Sequence, residues 1–218
     1  MQKFFRRNSL SLVFIGLFLL SFLGQVYFGL QEYNKERLED GAPAVGLAKY
    51  LTAGHFIQAT FENWESEFLQ MALLVWLSIF LYQKGSSESK KFDGTDEVDR
   101  EPDPAKPDAP GPVKSGGWAL AIYKNSLTLV LLLLFMLSVC LHFYGSMKDN
   151  NARHLLKGEP LERASQYFTD SRFWFESFQN WQSEFLSVFA IIFLSIFLRQ
   201  KGSPQSKPVD APHSETGE

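Results

Sequence analysis

Two matched heptapeptides hold the residues of this 218-residue chain best suited to chemistry. Asn63-Trp64-Glu65-Ser66-Glu67-Phe68-Leu69 and Asn180-Trp181-Gln182-Ser183-Glu184-Phe185-Leu186 each run straight into an uncharged apolar stretch. On a helix, residues three and four apart share a face. Asn63, Ser66, Glu67 and Gln70 therefore cluster, as do Asn180, Ser183, Glu184 and Ser187. A carboxyl group at membrane depth is costly, and it normally faces protein or a wet cavity. There Glu67 and Glu184 could bind an ion or fix helix packing; in the headgroup layer they would only cap or pair locally. Beside them, Ile57, Phe61, Trp64, Phe68, Met71 and Val75 recur at spacings of four and three. Trp174, Phe178, Trp181, Phe185, Val188 and Ile192 repeat the pattern. Such a stripe is a packing seam, with Trp64 and Trp181 as interfacial anchors.

Counting along the helices extends the polar set. Gln25 stands 17 residues beyond Asn8 and Glu67 stands 17 before Lys84, with the same separations for His142 from Asn125 and Glu184 from Lys201. At 1.5 Å per residue each lies about 25 Å from its landmark. The spacing predicts a polar layer near the outer membrane face that pairs Gln25 with Glu67 and His142 with Glu184. A histidine beside a carboxyl suits the second pair to holding a proton near neutral pH.

Other chemistries lack their residues. There is no phosphate-binding GxxxxGK[ST], no GxGxxG after a strand, no GxSxG and no HExxH. His55, His142, His154 and His213 have no metal-ligand spacing, and the single Cys140 excludes a disulfide framework or a Cys-based zinc site. The expectation is a protein that is not an enzyme and needs no cofactor or metal. A net charge of -3 excludes a nucleic-acid surface set by bulk electrostatics.

The elements that must position these residues are four apolar blocks. A mean hydropathy of -0.10 describes a soluble domain only because it averages over them. Asn8 to Gln31 is a run of 24 uncharged residues and Asn125 to Met147 one of 23, each long enough to cross a hydrocarbon core of about 30 Å. Lys3, Arg6 and Arg7 before the first run suit a signal peptide, but no small-x-small cleavage site follows, so retention as an anchor is expected. Phe68 to Gln83 and Phe185 to Leu198, 16 and 14 residues, are short for a crossing. Each helix is therefore expected to continue N-terminally through the aromatic-rich stretches Phe56 to Glu67 and Phe173 to Glu184.

The chain matches itself at an offset of 117, with 35 identities over the 83 pairs from 8/125 to 90/207 and no gap. Gly41/Gly158 and Pro43/Pro160 mark a shared turn in the outer loops. The reading is a tandem duplication of a two-helix unit, and an even number of crossings per unit gives both copies the same orientation. Cations hug the membrane at Lys3, Arg6, Arg7, Lys84, Lys124, Arg199 and Lys201, which places both chain ends in the cytoplasm. Between the copies, Pro102, Pro104, Pro107, Pro110 and Pro112 stand among charged residues in a stretch too polar to offset chain entropy by burial.

The repeated Asn-Ser-Leu, Asn-Trp-x-Ser-Glu-Phe-Leu, Leu-Ser-Ile-Phe-Leu and Gln-Lys-Gly-Ser motifs resemble those of an uncharacterised bacterial multi-pass membrane family, a domain of unknown function. That resemblance implies a bacterial inner membrane and assigns no activity. The expected fold is all-α and polytopic, with four transmembrane helices. Residues 1–85 form the first hairpin, with spans at about 8–30 and 66–83, and 86–116 a disordered linker. Residues 117–202 form the second hairpin, with spans at about 125–146 and 183–199, and 203–218 a disordered tail. Its expected partners are the lipid bilayer and a further copy or another membrane protein, with no nucleic acid. The role expected first is structural or partner-binding; a small oligomeric carrier or channel using the glutamate layer is the alternative.

Overall fold

A computed structural model describes residues 2–94 and 96–217. Met1, Thr95 and Glu218, which fall in the first hairpin, the linker and the tail of the sequence reading, lie outside the described residues. The helices are α1 (Gln2–Arg7), α2 (Ser9–Glu39), α3 (Leu47–Tyr50), α4 (Gly54–Leu77), α5 (Gly111–Ser115), α6 (Gly117–Lys124), α7 (Ser126–Lys157), α8 (Ala164–Tyr167) and α9 (Ser171–Phe197), with one 3-10 turn at Glu97–Asp99. Among the described residues there is no strand.

Among the described residues three helices are long and apolar enough to cross a membrane: α2 with 31 residues, α7 with 32 and α9 with 27. The expectation of four is corrected here, and α4 is the reason. It begins at Gly54, so the aromatic stretch before the apolar run is helical as expected, but its middle carries Glu62, Glu65 and Glu67. Three carboxyls within two turns are more than a lipid-facing span tolerates. At its other end the helix stops at Leu77, where Phe80 and Leu81 both donate backbone bonds to the Leu77 carbonyl in a turn. The segment 66–83 is thus not one continuous helix.

The chain divides into two compact units, Met1–Phe61 with Cys140–Phe173 and Glu62–Val139 with Trp174–Glu218. In the first, α4 and α7 cross at two glycines. A Cβ on Gly54 would sit 2.3 Å from the Asp149 nitrogen, and one on Gly145 2.4 Å from the Gln58 nitrogen. Only glycine admits this backbone approach, the device by which membrane helices gain dispersion energy. Beside the crossing, Tyr50 is 1% exposed among Tyr33, His55 and Phe56. Burial, with the neighbouring Tyr33, pushes its phenol pKa up from the ordinary value. Asp149, 3% exposed, accepts from Arg153 at 3.0 Å and from Arg172 at 3.1 Å.

The turns after α2 and α7 are built alike. Gly41 and Gly158 both take positive φ, +75° and +72°. Asn34 donates to the Val45 carbonyl and accepts from the Val45 nitrogen; Asn151 brackets Glu162 in the same way. Arg37 reaches the Pro43 carbonyl, and His154 the Pro160 carbonyl. In the second unit the ends of α4 and α9 meet coil from 83–90 and 203–217. Ser86 and Ser195 share a hydroxyl hydrogen bond of 2.9 Å. Lys207, 1% exposed, donates to the carbonyls of Pro212, His213 and Glu215.

Candidate functional site

The polar residues of the second unit gather where α4 and α9 run side by side. Fewer than two turns of α4 present Glu62, Glu65 and Glu67, and α9 answers with Asn180, Trp181 and Glu184. The Trp181 indole N–H donates to Glu65 Oε1 at 2.9 Å, and Glu65 is 1% exposed. Asn180 donates from Nδ2 to the Glu62 carboxylate and to the Glu176 carbonyl one turn back. The Trp181 ring packs edge-on against Phe135 and Phe178, two contacts that help hold the indole in place. A carboxyl group out of water is tolerated only when its oxygens are satisfied, and this ring supplies a directed donor.

Glu67 and Glu184 also meet: their carboxyls are close enough to interact electrostatically. Glu67 is exposed and Glu184 half-buried. Ser66, 2% exposed, and Ser183 each turn the hydroxyl back onto a carbonyl of their own helix, those of Asn63 and Asn180. Asn63 is exposed and Trp64 half-buried.

The other two members of the expected layer belong to the first unit. Gln25 donates to Thr60 Oγ1 at 3.1 Å, and Thr60 is 4% exposed. His142 is fully buried, its ring 5.1 Å from that of Phe173.

With that geometry in view, the match to known sequences is direct. The family model described as Domain of unknown function (DUF6766) matches residues 1–218. The chain belongs to the DUF6766 family. No curated protein and no solved structure matches it.

The DUF6766 chain brings together its two matched glutamates, Glu67 and Glu184, and adds two that sequence reasoning passed over. Glu62 and Glu65 stand opposite Gln179 and Gln182 at the offset of 117, so a search for identical pairs discards them. Their partners, Asn180 and Trp181, are residues the two segments share. The available signal was spacing: Glu62 and Glu65, three apart, fall on one helix face.

Proposed function

We propose that this DUF6766 protein is a structural or partner-binding membrane protein in which the α4 carboxylates fix helix packing. One observation carries the reading: Glu65, fully buried, is met by the Trp181 indole N–H across the helix pair. A carboxyl engaged by a rigid donor on a neighbouring helix sets register and orientation. A transported ion needs a group that exchanges partners.

Finer parts of the reading are also proposals. A tandem duplication is supported by the 35 identities and by the Asn34/Val45 and Asn151/Glu162 brackets, which are 117 residues apart. An inner-membrane location with the N-terminus in the cytoplasm is supported by Lys3, Arg6 and Arg7 ahead of α2.

A second reading has its own observation in the meeting of Glu67 and Glu184. Two carboxyls that repel share a proton or a cation more readily than either alone. The deciding experiment compares wild-type protein with the Glu67→Gln/Glu184→Gln variant in proteoliposomes under proton, sodium and potassium gradients. The packing reading expects no gradient-driven flux from either, together with loss of thermal stability in Trp181→Phe. Flux that the double variant abolishes would establish the carrier.

A further inference from the structure

Below the glutamates, the second unit holds a groove of about 360 Å³ between the C-terminal half of α4 and the middle of α9. Leu73 and Leu77 form one wall, Phe185, Val188 and Ile192 the other, and its rim carries Gln83 and Glu88. We propose that this groove holds one acyl chain of a zwitterionic aminophospholipid whose headgroup sits on the rim.

Three observations select that occupant. The first is size. A methylene is close in volume to a water molecule, which takes roughly 30 Å³ in the liquid, so the groove accommodates about a dozen chain carbons. The second is environment. One wall belongs to a helix apolar enough to span a membrane, where acyl chains are the surrounding medium and each methylene buried adds to binding.

Charge at the rim is the third. Leu81 and Tyr82 are shared with an adjoining hollow lined by Lys84, Lys90, Lys91, Asp93 and Glu215. With Glu88 the collar holds three cations and three anions. A balanced collar suits a head that carries both signs, whereas an anionic lipid calls for a basic cluster. Lys90 is engaged by Asp99 at 2.8 Å, while Lys84 is exposed and has no ion pair among the described residues. The lipid phosphate therefore faces Lys84 and its ammonium faces the anionic side of the collar.

The test uses the full chain, purified in detergent and examined by native mass spectrometry. Phosphatidylethanolamine, phosphatidylglycerol and diacylglycerol of equal chain length are supplied separately. The expected result is one phosphatidylethanolamine retained per chain, about fivefold above either competitor, with the preference lost in Glu88→Gln. Val188→Trp fills the groove and should abolish retention; Leu77→Trp does the same from the opposite wall, with circular dichroism confirming that each variant folds. Equal retention of all three lipids, or undiminished retention in both folded tryptophan variants, overturns the proposal.

Discussion

Replacing Gly145 by alanine tests the α4/α7 crossing most directly. The added Cβ would stand 2.4 Å from the Gln58 nitrogen, 2.8 Å from Ile57 Cγ2 and 2.9 Å from the Ile57 carbonyl carbon. Favourable carbon contacts lie at about 3.5–4.0 Å, so α4 must retreat by about 1 Å. Two of the three obstructing atoms are backbone, which cannot rotate aside. Overpacking costs about 1–3 kcal/mol, and backbone obstruction places this site at the upper end. Alanine returns about 1 kcal/mol through its higher helix propensity, leaving a net loss of about 2 kcal/mol. Gly16 of α2 is the control: nothing lies within 4 Å of its Cβ position, so Gly16→Ala should be neutral or gain up to about 1 kcal/mol. Gly54→Ala meets the Asp149 nitrogen and the Gly145 carbonyl at the same crossing. Once one substitution has moved the helices apart the second costs less, so the double variant should lose less than the sum of the two. Equilibrium unfolding in mixed micelles measures all four. Equal stability of Gly145→Ala and Gly16→Ala would refute the close approach of α4 and α7.

Trp181→Phe keeps the ring and removes the donor to buried Glu65, so a loss of about 1–3 kcal/mol is expected in the same unfolding assay. Asp149→Asn leaves Arg153 and Arg172 without their shared carboxylate and should cost a similar 1–3 kcal/mol, roughly, because both guanidinium groups remain partly solvated. Tyr50 gives a pH signature. Its folded pKa is raised, so the stability it contributes is complete below the unfolded value near 10 and is lost as pH rises through the folded value. Unfolding followed from pH 8 to 12, roughly, should show that alkaline loss in wild type and a flatter profile in Tyr50→Phe. Glu67→Gln relieves the repulsion with Glu184 and should leave stability unchanged or slightly higher; a clear loss would mean that the carboxylate has a favourable partner.

Periodicity and length made the long helices legible. All but the first residue of the 24-residue and 23-residue uncharged runs fall within α2 and α7, and the aromatic stretches Phe56 to Glu67 and Phe173 to Glu184 are helical because neither holds a helix breaker. The matched glycine and proline pairs located the turns, since positive φ at Gly41 and Gly158 is a local demand that sequence states directly. What could not be read was which helix faces which. Register along one helix says that Glu62 and Glu65 share a face, but whether that face meets lipid, water or Trp181 depends on tertiary placement, which spacing does not encode. The count of spans differs for another reason, one the sequence does hold: the helix that contains the apolar run after Phe68 also carries Glu62, Glu65 and Glu67. The offset of 117 carried a further bias, because it ranks positions by identity. Identity marks what two related segments both need to fold, such as Asn63/Asn180 and Trp64/Trp181. When one segment packs on the other, the donors they share must find acceptors, and those acceptors are free to differ. Glu62 and Glu65 against Gln179 and Gln182 are such differences. In a chain of this kind, the non-identical polar residues beside an identical motif are therefore the places to look for the contact between its halves.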